Sequence, residues 1–310
     1  ASKGQFRSQR RSERGAKAVS NLLIISLAAA AVFAIAALGE LLEQRAGILN
    51  VGLEGVMLLS GTFGFIVAKT SGSYLQGFLV AILTGALVGL LHGFFSITLG
   101  SNQVVNGMAI WILGFGLTTY IGYPYTGPLG LAPFPTIGGL PVFFFVALAL
   151  AVGIWFLLYK THLGLKLRSV GEDPSVAEAS GISVTAMRYL AVVLAGMLVG
   201  LGGAVYSLVY NPVWSYNYLQ GWGFIALALV FFSLWNPFFV IAGAVFFGFL
   251  WQLSLYPEFL FPNVFSRYIW RAMPFLITII VFILLSTRWF RLRWGATKPE
   301  ALGVAYQRES

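Results

Sequence analysis

The sequence contains no cysteine and only two histidines, His92 and His162. The lack of cysteine excludes a disulfide framework, a thiolate nucleophile and a cysteine-ligated metal. Neither the H-E-x-x-H zinc motif nor the G-x-x-x-x-G-K-[ST] phosphate loop occurs. The glycines of GLGGAV (200–205) lack the strand–turn–helix context of a dinucleotide site. We therefore predict a chain that is not an enzyme and that holds no metal or cofactor of its own.

Charged residues are also scarce. They make up 9% of the 310 residues, against about 25% in ordinary soluble domains, while hydrophobic residues make up 58%. Two long regions, 70–159 and 189–257, contain no Asp, Glu, Lys or Arg. A chain so poor in charge cannot cover a soluble globule, so we predict an integral membrane protein.

The apolar runs have the length of transmembrane helices, which need about 20 residues. The run VFFFVALALAVGIWFLLY (142–159) is apolar on every face, whereas strands of a transmembrane barrel would alternate over about ten residues. The predicted fold class is an all-α polytopic bundle. Nine spans are expected, at roughly 21–39, 51–69, 74–99, 103–122, 140–159, 186–210, 220–235, 237–254 and 269–286.

Basic residues are concentrated in an N-terminal segment (1–20), in the longest polar stretch between spans (160–188, the polar insert) and in a C-terminal tail (287–310). The positive-inside rule would put all three in the cytoplasm, against anionic headgroups rather than nucleic acid. Four spans between the polar insert and the tail agree with this. Five spans before residue 160 would instead leave the N-terminal segment outside. Either this segment is an exception to the rule, or an early segment is re-entrant and does not cross the membrane. The stretch ELLEQRAGILN (40–50) is the expected place of such an irregularity.

The polar insert carries the signals of a short helix. Asp173 is a good N-cap residue, and Pro174 suits the first helical position, where its missing N–H costs nothing. Gly181 is a natural left-handed stop. The predicted helix at 173–181 has about two turns and is too short to be stable alone in water. Either its flanking helices hold it, or another protein receives it in a groove.

Three motifs together resemble the permease subunits of ABC importers, in the branch for simple sugars and nucleosides and closest to the nucleoside type. They are LGLKLRSVGEDPSVAEASGISV (163–184), EQRAGILNVGLEGVMLLSG (43–61) and LGSNQVVNGMAI (99–110). The resemblance covers the chain from about residue 21 onward. It implies a single permease domain (21–310) of the type II-like importer fold, preceded by the basic N-terminal segment (1–20).

The resemblance further implies that this subunit moves a nucleoside or simple sugar across the cytoplasmic membrane by alternating access. A separate ATP-binding subunit would bind and hydrolyse ATP with Mg, and the helix at 173–181 would couple to it. A related second permease, as a heterodimer rather than a homodimer, and an extracytoplasmic binding protein would complete the assembly. The implied coupling residues are Arg168, Gly171, Glu172, Asp173, Pro174, Ala177, Glu178, Gly181 and Ile182. An ATP-independent secondary transporter or channel is the alternative, although such proteins need intramembrane charged sites.

Polar residues beside the early spans are the candidates for the translocation path. For Glu43, Arg45 and Glu54 we expect a local Glu–Arg pair that pins a broken helix, with direct ligand contact as the alternative. Asn50 belongs to the same motif. The third motif contributes Asn102, Gln103 and Asn106, which either line a polar route or cap and cross-link helices.

Three further features have simpler interpretations. His92 is expected to be a packed, hydrogen-bonded histidine. Five glycines at helix-packing spacing predict close helix contact, as static packing rather than a sliding interface: Gly85, Gly89, Gly93, Gly196 and Gly200. An aromatic cluster is expected to be an interfacial belt, with nucleobase stacking or contact with the binding protein as alternatives: Tyr206, Tyr210, Trp214, Tyr216, Tyr218 and Trp222.

Overall fold

A computed structural model describes residues 2–255, 267–286 and 298–306. The helices are α1 (Ser2–Arg45), α2 (Leu53–Ser71), α3 (Tyr74–Gly93), α4 (Gln103–Gly122), α5 (Val142–Lys160), α6 (His162–Glu172), α7 (Pro174–Ala179), α8 (Val184–Ala204), α9 (Trp222–Phe232), α10 (Pro237–Leu255) and α11 (Arg267–Ser286). A π-helical turn extends α3 (Phe94–Thr98) and another extends α8 (Val205–Tyr210), while a 3-10 turn extends α4 (Tyr123–Tyr125). The joint expected at 256–263 and most of the tail lie outside the described residues.

In the described part of the chain, four two-residue strands form two small antiparallel pairs. They are β1 (Gly127–Pro128), β2 (Thr136–Ile137), β3 (Leu140–Pro141) and β4 (Val213–Trp214). β1 pairs with β4, and β2 pairs with β3. The first pair ties the segment after α4 to the segment after α8.

Seven helices of the described part are long and apolar enough to cross a membrane, against the nine expected. They are Ser20–Arg45, Leu53–Ser71, Tyr74–Thr98, Gln103–Tyr125, Val142–Lys160, Val184–Tyr210 and Pro237–Leu255. The span expected at 220–235 is wrong, because α9 has 11 residues and is about 16 Å long at 1.5 Å per residue. The span expected at 269–286 coincides with α11, which is not among the seven.

Helix α1 is the centre of the bundle. Its apolar run is rich in alanine, and residues 29–38 are buried on all sides. It packs against α5, α8, α9 and α10. A helix that is apolar all round and has small side chains can accept neighbours on every face.

Close glycine contacts join α3 to α8. A Cβ on Gly85 would overlap the backbone oxygen of Gly196, and a Cβ on Gly89 would lie 2.5 Å from the oxygen of Val192. Close approach of this kind strengthens dispersion contacts, which drive helix association in lipid. The predicted packing role of these glycines is confirmed.

The packing also gives the helix directions. Gly39 faces Ala195 and Gly202 faces Ala36, so α1 is antiparallel to α8. The C-terminal end of α1 therefore lies at the same end of the bundle as the polar insert. All five helices before residue 160 are long and apolar enough to cross a membrane, which favours the N-terminal segment as the exception over a re-entrant segment. The N-terminal segment consequently leads into α1 at the end opposite the polar insert.

Helix α9 begins in the middle of the bundle. After β4 the chain turns back inward, and the Trp222 ring stacks on Phe33 with centroids 4.4 Å apart. Phe33 lies near the middle of the span Ser20–Arg45. The chain then continues to Trp235, whose indole nitrogen donates to Gln44 at 2.7 Å, close to the end of α1. The helix thus crosses about half of the bundle.

The α3–α8 contact gives a stability prediction. We expect Gly85→Ala to destabilise the protein by about 1–3 kcal/mol, the usual penalty for overpacking. The matched control is Gly153→Ala in α5, where a Cβ meets nothing within 4 Å and the gain in helix propensity is about 0.5–1 kcal/mol. Thermal unfolding in detergent compares the two variants. Equal melting temperatures would contradict the contact.

Candidate functional site

The polar insert folds into α6 and α7. The Asp173 Oδ1 atom accepts hydrogen bonds from the backbone N–H groups of Ser175 (2.9 Å) and Val176 (3.0 Å). Pro174 is the first residue of α7, and Gly181 has a φ of 81°. The predictions that Asp173 caps the helix, that Pro174 takes its first position and that Gly181 follows its end in a left-handed conformation are therefore confirmed. The helix itself spans Pro174–Ala179, shorter than the expected 173–181.

Contacts within this chain hold α7 in place. Ala177 is buried in a small cluster with Val170 and Val184, against which Ile182 packs. The Tyr306 hydroxyl donates a hydrogen bond to Glu178. The outer side of α7 remains open, since Val176 is 62% exposed.

The polar insert is attached to the end of α1 by backbone contacts. A Cβ on Gly171 would overlap the carbonyl oxygen of Arg45, so only glycine allows this approach. The C-terminal segment 298–306 closes the joint: the Ala301 N–H donates to the Gly171 carbonyl at 3.0 Å, and the Gly303 N–H donates to Gly47 at 3.2 Å. Gly47 has a φ of 85°, which suits glycine.

Arg168 fixes the other side of the polar insert. Its Nε donates to the carbonyl oxygen of Leu158 at 3.0 Å, and its guanidinium lies 4.9 Å from the centre of the Tyr159 ring. Glu172 and Asp173 are exposed. Four of the implied coupling residues therefore attach α7 to the bundle: Gly171, Ala177, Ile182 and Arg168. Glu172 and Asp173 face outward.

The turn between α1 and α2 (residues 46–52, the α1–α2 turn) is held by buried polar side chains. Glu40, which the sequence analysis did not single out, accepts from Gln44 Nε2 at 2.7 Å and from the Asn50 N–H at 3.2 Å. The Asn50 side chain accepts from the Gly52 N–H at 2.9 Å. Gln103 accepts from the Leu49 N–H at 2.8 Å and so joins α4 to this turn.

The expected Glu43–Arg45 pair is wrong. Glu43 Oε1 lies 3.0 Å from His92 Nδ1. Arg45 instead donates to the Tyr159 hydroxyl (3.1 Å) and to the Trp235 carbonyl (3.0 Å). Residues two apart on a helix point in different directions, so α1 sends these two side chains to different neighbours. His92 is packed and hydrogen-bonded, as predicted.

Asn102 and Asn106 have structural partners. The Asn102 side chain caps α4 by accepting from the N–H groups of Val104 and Val105. Asn106 Nδ2 donates to Ser96 at 3.1 Å and to Ser101 at 2.8 Å. These contacts support the capping and cross-linking interpretation.

Glu54 has no arginine partner among its hydrogen bonds. It accepts from the backbone N–H groups of Gly221 (2.7 Å) and Gly223 (2.6 Å). The carboxylate is 2% exposed and caps the N-terminus of α9, where a negative charge is favoured.

Most of the aromatic cluster is buried, so the interfacial belt is wrong for these residues. Trp214, Tyr218 and Trp222 are each at most 2% exposed. The Trp214 indole donates to Thr62 at 3.0 Å, and the Tyr206 hydroxyl donates to the Tyr218 carbonyl at 2.7 Å. The cluster forms a wall inside the bundle, and only Tyr216, at 65% exposed, stands out from it.

A cavity of about 450 Å³ opens between α4 and the start of α9 (the α4–α9 cavity). Its lining combines ring side chains with polar ones: Trp111, Phe115, Phe224, Glu54, Asn217 and Gln220. Only Glu54 was a candidate from the sequence. No motif marks the others, because they are distant in the sequence and meet through the half-length of α9.

The Asp173 cap gives a prediction for α7. Asp173→Ala should cost about 1 kcal/mol of local helix stability, whereas Asp173→Asn keeps a good cap and should cost little. Hydrogen exchange of the amides of residues 175–180 measures this directly. We expect about five-fold faster exchange in the alanine variant alone. Equal exchange in both variants would show that the cap does not stabilise α7.

Among known proteins, two relatives that match most of this chain are named for different solutes. The chain is 38% identical over 257 residues to TsgC13 of Haloferax volcanii, named for a glucose ABC transporter permease, covering 76% of this chain and 77% of the relative. It is 34% identical to the guanosine ABC transporter permease protein NupQ of Bacillus subtilis, and the match covers 93% of this chain and 97% of NupQ.

Among solved structures, a metal-chelate type ABC transporter in an inward-facing conformation matches with a TM-score of 0.54 at 19% identity. The match covers 85% of this chain and 86% of that one, and shows the fold. A family model described as "Branched-chain amino acid transport system / permease component" matches residues 22–290. The chain therefore belongs to this family of ABC transporter permease components and is a membrane-integral permease subunit.

Proposed function

We propose that this chain is the membrane subunit of an ATP-driven importer for nucleosides, and that α7 couples it to a separate ATP-binding subunit. The observation that carries this proposal is the capped, anchored helix α7 with its open outer side. A rigid helix attached to the bundle can transmit a displacement, whereas a loose loop would absorb it.

The nucleoside assignment is supported by the relative NupQ, which is named for guanosine and matches over almost the full length of both chains. A simple sugar is the second candidate, because TsgC13 is named for glucose. The α4–α9 cavity suits a nucleoside better, since its walls combine ring side chains and polar groups.

The partners follow from what this chain does not contain. The sequence has no phosphate loop, so ATP and Mg would be bound by the ATP-binding subunit. Helix α4 exposes a row of large apolar side chains, including Val105 (62%) and Ile112 (64%). A related second permease, as a heterodimer, would share the pathway beside this helix. An extracytoplasmic binding protein would deliver the solute.

The coupling route starts at α7 and leads to α1. Closure of the ATP-binding subunits would push α7, and the contact of Gly171 with Arg45 would pass the movement to the α1–α2 turn. On this basis we propose that the polar insert and the C-terminal tail lie on the cytoplasmic side of the cytoplasmic membrane. The basic N-terminal segment would then lie on the outer side, as an exception to the positive-inside rule.

The test is transport by the assembled complex in proteoliposomes, with ATPase activity measured in parallel. Val176→Asp puts a charge on the exposed outer side of α7 and should reduce guanosine uptake about five-fold or more, the effect of losing a central interface contact. The matched control is Val213→Asp, an exposed valine (42%) at the opposite end of the bundle, which should leave uptake unchanged.

Uptake of glucose and leucine by the same vesicles distinguishes the substrate classes. Guanosine uptake that depends on ATP and is blocked by vanadate would support the proposal. Full uptake by the Val176→Asp variant would show that α7 is not the coupling element. Uptake without an ATPase in the complex would contradict the importer assignment and favour an ATP-independent transporter.

A further inference from the structure

We propose that the α4–α9 cavity is the solute-binding site within the membrane pathway, and that Asn217 and Gln220 determine its specificity for a ring-bearing, hydroxyl-rich solute such as a nucleoside. This inference rests on the proposed import function and assigns its solute contacts to named residues of this chain.

The cavity lies about halfway along the bundle. Trp111 and Phe115 are in the middle of the span Gln103–Tyr125. Trp222, the first residue of α9, stacks on Phe33 in the middle of the span Ser20–Arg45. Transporters commonly bind their solutes near the bilayer midplane, where a helix is interrupted. Helix α9, which crosses only about half of the bundle, supplies such an interruption.

Asn217 and Gln220 have an unusual backbone conformation. Their φ angles are 50° and 52°, in the left-handed region. Asparagine adopts this region readily, whereas the conformation costs Gln220 about 1–2 kcal/mol. The buried neighbours Tyr218 and Leu219 hold the segment in place, and Glu54 fixes the N–H of Gly221 at its end. Strain of this kind, held by the surrounding packing, is typical of ligand sites.

Contact with lipid does not account for the polar surface that Asn217 and Gln220 form. Both amide side chains are exposed and both line a cavity at mid-bundle. Polar groups facing hydrocarbon lose their hydrogen bonds with water and gain none in return. The cavity therefore faces a water-accessible path rather than the acyl chains.

The ring side chains supply two apolar walls. Trp111 and Phe224 meet edge to face with centroids 5.4 Å apart, and Phe115 meets the exposed Tyr216 at 5.5 Å. Aromatic faces stack on nucleobases with about 1–3 kcal/mol each. The volume of about 450 Å³ is within the range of about 300–1,000 Å³ for small-molecule sites.

Glu54 completes the polar side of the cavity. Its two oxygens already accept one N–H each from α9, and a carboxylate has further lone pairs that can accept from a hydroxyl group. We infer that Asn217 and Gln220 hydrogen-bond the polar edge of the solute, while Glu54 holds the segment that carries them.

Glycine substitutions test this assignment without adding strain, because glycine accepts a positive φ freely. In the assembled complex, Asn217→Gly and Gln220→Gly should each raise the half-saturating guanosine concentration about three- to ten-fold, as expected for one lost hydrogen bond. Because guanosine binds more weakly in these variants, the preference for guanosine over glucose should also decrease. The maximal rate of uptake and the ATPase activity should stay at the values of the unsubstituted complex. The control is Gln76→Ala, an exposed amide remote from the cavity, which should change none of these.

A second readout uses the lack of native cysteine. In Gln220→Cys, guanosine should slow labelling by a maleimide, whereas labelling of Gln76→Cys should be unaffected. Absence of protection together with unchanged half-saturation in both glycine variants would overturn this inference alone. Failure of the unsubstituted complex to transport guanosine would instead contradict the proposed function.

Discussion

The contact between Gly171 and the carbonyl oxygen of Arg45 is the constraint on which the rest of the structure depends. It brings the polar insert against the end of the central helix α1 so closely that no side chain fits between them. The same end of α1 leads directly into the α1–α2 turn, and that turn leads to Glu54 at the α4–α9 cavity. The polar insert, the α1–α2 turn and the α4–α9 cavity are therefore joined over a short stretch of backbone.

Buried polar groups make this joint rigid. Glu40, Asn50 and Gln103 hold the α1–α2 turn by hydrogen bonds to its backbone, and Glu54 holds the start of α9. Each of these side chains makes at least one hydrogen bond, which offsets part of the cost of burying it in an apolar bundle. Removing one should loosen the link between the polar insert and the cavity before it disrupts the bundle itself.

Much of this architecture could be predicted from the sequence, because long apolar runs and local caps act over short distances. Seven of the nine expected spans, counted over the described residues, and the Asp173 cap follow from these local signals. The half-length of α9 has only a weak signal in the sequence, an apolar run at 220–235 that is shorter than the about 20 residues of a full span. That the helix begins in the middle of the bundle depends on tertiary contacts. The partners of Glu43 and Arg45 and the cavity residues Asn217 and Gln220 likewise depend on contacts between segments far apart in the sequence.

The most direct measurement is the number of solute molecules moved per ATP hydrolysed when Gly171 is replaced by alanine in the assembled complex. The added methyl group would separate the polar insert from α1. We expect a several-fold lower ratio with ATP hydrolysis retained, while Gly153→Ala, in open space, keeps the ratio of the unsubstituted complex. An unchanged ratio in the Gly171→Ala complex would contradict coupling through the contact of Gly171 with Arg45.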